Sequence, residues 1–227
     1  MTAHQWVTGR KNAKMTQVQA AKALRLSQPY LSQLETGARL AGDKLSKKAA
    51  TLYALPTALP LPNSWAAEEA GSDRLQGELA GLGYPKFAHV VSKLQHNPAG
   101  VLLGAVVQQD LDTRLVEALP WVVSQYVDLD WPWLRDRVKL GNVQNRLGYI
   151  VYLAKEVVRL RESDGHKIDV LSIWERDLEE ARLAREDTLC RESMPASERS
   201  WLKTHRPSGA AHWNLLTSLT PEQLSYA

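Results

Sequence analysis

Between Thr16 and Gly37 apolar residues recur at helical spacing twice, first Val18, Ala20, Ala21 and Leu24, then Leu31 and Leu34, with a polar break between them. Thr16 and Ser27 each stand where a side-chain oxygen caps a following helix, Pro29 falls in a first turn, and Gly37 closes the second run. The pattern predicts two short helices joined by a tight turn. Residues 3–12, with Trp6 and Val7 facing this pair, predict a helix before it. Leu45, Ala49, Leu52 and Tyr53 predict one after it, capped by Asp43. Residues 1–55 therefore read as one small helical bundle.

Pro56, Pro60 and Pro62 then interrupt the helical pattern, so residues 56–63 read as a stiff, extended linker. Residues 64–227 read as a second domain, helical throughout, with no convincing alternation of period two. Leu75, Leu79 and Leu82 are the apolar positions of a weakly patterned helix that can also serve as further linker. Asn97-Pro98 opens the apolar run GVLLGAVV, a central buried helix in which Gly100 and Gly104 suit close packing. Leu111 to Leu119 and Pro120 to Tyr126 read as two pieces broken at the proline. Asp130 caps a helix through Trp131, Trp133 and Leu134. A long helix is expected from Asn142 to Arg161, with Gln144, Asn145 and Arg146 facing solvent, and another from Ile168 to about Cys190. Asp164-Gly165 is the turn between them. The tail predicts short helices around Ser197 to Leu202 and Trp213 to Leu219, separated by a break at Pro207 to Gly209. The fold class is all-α, an N-terminal helical bundle plus a larger C-terminal helical domain.

Charge sharpens this division. Residues 1–50 hold nine Lys or Arg against two Asp or Glu, a surplus of seven, whereas the rest of the chain is four charges acidic and the whole is +3. A polyanion is attracted to the basic end. The single cysteine, Cys190, rules out an intrachain disulfide and is expected to be a plain small side chain in a reducing cytoplasm. No run reaches the roughly 18 apolar residues that span a bilayer, and no apolar signal core follows Met1. A cytoplasmic protein without membrane attachment is the expectation.

The outer face of the second helix in the N-terminal pair carries Gln28, Tyr30, Ser32 and Gln33, uncharged hydrogen-bonding side chains suited to base edges. An ordinary helical hairpin with a polar face is the competing reading. At these residues the sequence resembles the Cro and phage-repressor (XRE) family of helix-turn-helix DNA-binding domains. The likeness falls on Thr16-Gln17, Ala21, Ser27-Gln28 and Leu34-Glu35-Thr36-Gly37. It implies that Gln17 lies against the DNA backbone while Gln28 and Gln33 enter the major groove of a double-stranded operator. Arg25 stands where the family often has Gly, and Pro29 removes one base-reading side chain. Arg10, Lys14, Arg39 and Lys44 are the further phosphate candidates, Gln17 joining them by the resemblance.

No metal-ligand spacing, nucleophile elbow, phosphate loop or dinucleotide fingerprint occurs, so neither a metal, a cofactor nor a catalytic residue is expected. The function expected is a sequence-specific transcriptional regulator acting as a homodimer. The tracts RLVEALPWVV, DLDWPWLRDRVKL and NVQNRLGYIVYLA resemble the C-terminal region of antitoxins paired with nucleotidyltransferase toxins, which implies toxin capture by the second domain and autorepression by the first. Trp131 and Trp133, two apart on one helix, cannot easily both face inward, and one of them is the expected partner contact. A small-molecule-responsive repressor is the alternative, and an enzyme with an appended DNA-binding module the third.

Overall fold

Thr16 opens the helix Gln17–Leu24 with a reciprocal cap: its hydroxyl accepts the Gln19 amide at 3.2 Å while the Gln19 side chain accepts the Thr16 amide at 2.8 Å. In the computed structural model, which describes residues 3–39, 41–53, 71–90 and 97–224, this is α2. It lies among α1 (Ala3–Asn12), α3 (Gln28–Glu35, capped by Ser27) and α4 (Asp43–Leu52). Gly42, not Asp43, takes the cap position of α4, and no side chain caps that helix. Trp6, Ala20, Ala21, Leu24, Leu31, Leu34, Ala49 and Tyr53 form the core of this bundle; Trp6 meets the edge of Tyr53 at 6.2 Å. Val7 is only half-buried.

Arg25 ends α2 in the left-handed region, at φ 61°, where a side chain costs about 1 kcal/mol. The amides of Leu26 and Arg25 return to the Ala21 and Lys22 carbonyls, and Lys48 Nζ reaches the Leu24 carbonyl at 2.9 Å, so the helix end is satisfied despite the strain. Arg25→Gly is expected to raise the unfolding free energy of this bundle by about 0.5–1 kcal/mol in urea titration. An unchanged midpoint would show that Gly's extra freedom in the unfolded chain offsets the relief.

The chain divides into two compact units, Met1–Ala58 and Leu59–Ala227. The expected linker 56–63 and residues 64–70 lie outside the described residues. The second unit begins its described part with α5 (Ser72–Gly81). Leu75, Leu79 and Leu82 are buried in its core, so this helix is no linker. All nine residues of α6 (Pro98–Val106) are buried, as an apolar run without a polar face demands. It packs against α5, α7 (Thr113–Gln125) and α8 (Trp131–Leu140); α9 (Gln144–Arg161) packs on α7 and α8, and α10 (Gly165–Glu179, capped by Asp164) covers α9.

Several expectations fail here, each for a physical reason. Pro120 does not break α7; Leu119, Val122 and Val123 are fully buried, and that burial outweighs the roughly 3 kcal/mol an internal proline costs. Asn142 does not start α9. It closes α8 at φ 53°, with Val143 N returning to the Val138 carbonyl. The helix from Gly165 ends at Glu179 rather than near Cys190, because the backbone of Leu183 is held by the Asn145 side chain through both its amide (2.8 Å) and its carbonyl (2.9 Å).

Gln144, Asn145 and Arg146, expected in solvent, are thus buried. Gln144 Nε2 donates to the Ala181 carbonyl at 3.0 Å, and Arg146 joins Asp187. Asp187–Thr188 is a short strand, β1. The tail continues as α11 (Ala196–His205) and α12 (Ser208–His212), then β2 (Leu215–Leu216), which pairs in parallel with β1 where a helix from Trp213 was expected. Two glycines admit this tail. A Cβ on Gly148 would lie 2.3 Å from the Trp213 ring, and one on Gly209 2.4 Å from Tyr152. Gly104 is not a tight site; its Cβ would meet only Leu75 Cδ2, at 3.9 Å. Cys190 is buried at φ 55°, and burial pushes its thiol up to about 11.

Candidate nucleic-acid interface

The outer face of α3 is arranged by one carboxylate. Glu35, at the last position of the helix, accepts Arg10 Nε at 2.7 Å, Arg10 Nη2 at 3.0 Å and Gln17 Nε2 at 2.9 Å. Gln17 Oε1 in turn accepts Gln28 Nε2 at 2.6 Å. A chain of hydrogen bonds therefore runs from α1 through α3 and α2 back to the exposed start of α3. Because Gln28 spends only one amide hydrogen on Gln17, its oxygen and second hydrogen stay available for the donor and acceptor pair that adenine presents in the major groove. Gln17 is half-buried and Gln28 exposed, so the pair is anchored on one side and open on the other.

Arg10, expected among the phosphate candidates, is ion-paired within the bundle. Its guanidinium also donates to the Met15 carbonyl at 3.0 Å, its side chain is 15% exposed and that of Glu35 only 6%. A carboxylate so desolvated requires a charged partner, and Arg10 supplies it. The Glu35 hydrogen bond drives its pKa still higher than usual.

The other candidates fall into three groups. Gln33 is exposed, one turn from the end of α3. Tyr30 is half-buried against the core and carries the Arg39 guanidinium 4.9 Å above its ring, which steadies an exposed arginine without using its N–H groups. Ser32 is half-buried, and its carbonyl accepts the Thr36 hydroxyl at 3.0 Å. Lys14, at the left-handed end of α1, and Lys44, early in α4, are exposed. With Arg10 neutralised, eight exposed cations remain in residues 1–50: Lys11, Lys14, Lys22, Arg25, Arg39, Lys44, Lys47 and Lys48. Sequence reasoning named Glu35 only as part of the Leu34-Glu35-Thr36-Gly37 likeness, with no role at the site, and did not name Lys48. The signal for Glu35 was present, as one of only two acids in a strongly basic stretch.

Trp131 and Trp133 resolve differently from expectation. Trp131 is core: it stacks on Trp174 at 4.5 Å and 3°, and its indole donates to Asp177 at 2.9 Å. Trp133 is not exposed either. It is half-buried, packed against the core with Arg137 5.8 Å above its ring. Both rings are accommodated because α10 covers Trp131 while Trp133 lies partly against the core with Arg137 of the same helix over it.

Among the described residues no helix is long and apolar enough to cross a membrane. The chain matches no curated protein and no solved structure. Residues 9–59 match the helix-turn-helix family model, spanning the last turn of α1 and all of α2, α3 and α4. Residues 9–59 are an XRE-type helix-turn-helix, the DNA-binding domain of a transcription regulator.

Proposed function

We infer that the chain is a cytoplasmic, sequence-specific repressor that binds its operator as a homodimer through Gln28 and Gln33. The observation carrying this reading is the Arg10, Glu35, Gln17 and Gln28 chain, in which three polar side chains hold a fourth, Gln28, at the exposed mouth of α3. Arg39, Lys14 and Lys44 supply phosphate contacts around it. Nothing in the reading requires catalysis. The test is a comparison of operator and random duplex: Gln33→Ala is expected to lower operator affinity by about 1–3 kcal/mol and leave random-duplex affinity nearly unchanged. Equal losses on both would show that α3 reads no sequence.

Dimerisation belongs to the second unit in this proposal, since one helix-turn-helix covers a single half-site and pairing places two about 34 Å apart. A fragment ending near Pro60 is expected to sediment as a monomer and to bind DNA weakly. Dimerisation of that fragment as strong as in the full chain would place the pairing surface in the first unit.

The partner proposed for the second unit is a nucleotidyltransferase toxin, with the chain acting as its antitoxin. The support is the resemblance of the three tracts that form α7, α8 and the start of α9. With Trp131 in the core, Trp133 is the proposed contact of the two. Affinity purification from the native host is expected to recover such an enzyme and to lose it with Trp133→Ala. Failure to recover one rejects the antitoxin role and leaves DNA binding standing. The alternative, a small-molecule-responsive repressor, is favoured by one observation, a cavity in the second unit.

A further inference from the structure

The second unit contains two separate apolar clusters. Met194, Leu202 and Leu216 form a small one under α11, apart from the main core that includes Leu111, Val116 and Leu219. Protein interiors normally close such seams, because a gap forfeits the dispersion contacts of both walls. Here a cavity of about 280 Å³ lies between them, bounded by α7, the turn after β1, α11 and the chain after β2. That is near the lower end of the roughly 300–1,000 Å³ typical of small-molecule sites.

The polar groups at its rim are unequal in charge. Arg191 Nη1 donates to Glu198 at 2.6 Å, so these two neutralise each other. Glu117, also lining the cavity, has Lys86 Nζ at 3.7 Å, too long for a hydrogen bond, and its side chain is 29% exposed. Glu117 thus lines the cavity as one partner of a long ion pair, its carboxylate keeping acceptor capacity, beside apolar side chains from both clusters.

We propose that this cavity binds a small amine with an apolar body, the ammonium donating to Glu117 and the body joining the two clusters into one core. The site is independent of the DNA-reading face, and its occupancy does not rest on the regulator reading. Because four chain segments line it, an occupant ties the tail to α7 and raises the unfolding temperature of the whole unit.

Phenethylamine, phenethyl alcohol and 3-phenylpropanoate, matched in body and different in charge, serve as probes by calorimetric titration of the full chain. Phenethylamine is expected to bind saturably, about tenfold or more tighter than the alcohol, with the carboxylate weakest. Glu117→Gln is expected to remove that tenfold preference, and Thr113→Trp, at an exposed position on the rim, to abolish binding of all three while thermal unfolding stays cooperative. Equal binding of the amine and the alcohol, or tighter binding of the carboxylate through Arg191, overturns the amine assignment. No saturable binding of any probe, or binding indifferent to Thr113→Trp, overturns the site. Operator binding, measured alongside, is the separate readout for the first unit, so loss of either function is distinguishable from loss of the other.

Discussion

Arg146→Met is expected to destabilise the second unit by about 3–5 kcal/mol, the range for removing one partner of a buried ion pair. Arg146 is buried, 6% exposed, and its guanidinium uses Nε and Nη2 on the two Asp187 oxygens, at 2.8 and 2.9 Å. Its Nη1 donates to the carbonyls of Val106 (3.1 Å) and Gln108 (2.6 Å), so a cation also sits at the C-terminal end of α6. Methionine fills much of the volume and satisfies none of these acceptors, leaving the Asp187 carboxylate and two carbonyls desolvated. The thermal midpoint of this unit should fall by roughly 10 °C or more. Arg146→Lys should rescue little, because a single ammonium cannot span a carboxylate and two carbonyls in the way a planar fork does. A loss below about 1 kcal/mol in either variant would mean that water enters and solvates the site once the fork is gone.

That pair also marks where the sequence stops being legible. The first unit was readable because its determinants are local: Thr16 and Ser27 cap within three residues, Gly37 ends α3 at φ 76°, and the apolar spacing needs only one turn of helix to be seen. The polar triplet at the start of α9 was misread because its partners, Ala181, Leu183 and Asp187, lie 37 to 41 residues downstream. Nothing at positions 144–146 announces that a loop will return to be hydrogen-bonded there. The same limit hid the end of α10, which depends on Asn145, and the β1 and β2 pairing, which depends on Trp213 entering the notch at Gly148. Pro120 misled in the opposite sense: the local rule was right about the cost of a proline and silent about the burial that exceeds it. The exposed placement of Gln28 and Gln33 on α3 was visible from helix geometry. The Glu35 hub was not, since it draws on residues 18 and 25 positions away.

The hub makes the sharpest expectation for the first unit. Glu35→Gln keeps the side-chain shape but removes the charge that Arg10 requires, leaving a guanidinium 15% exposed against a neutral amide. The bundle is expected to lose about 2–3 kcal/mol of stability, less than a fully buried pair because this one is partly solvated. Its effects on DNA should have opposite signs. Net charge in residues 1–50 rises by one, so random-duplex affinity should increase slightly and its salt dependence steepen. Operator affinity should fall about tenfold, because Gln17 loses a charged acceptor and no longer fixes Gln28 at the mouth of α3. The double variant Arg10→Met with Glu35→Gln removes the uncompensated charge and should recover most of the stability, whereas operator discrimination should stay reduced. Urea unfolding and paired titrations on operator and random duplex read both quantities from the same three proteins, the unmodified chain and the two variants. If stability and operator discrimination recover together in the double variant, the ion pair only holds the bundle closed. If discrimination stays low in a bundle that is stable again, the carboxylate itself orders the glutamines that meet the bases.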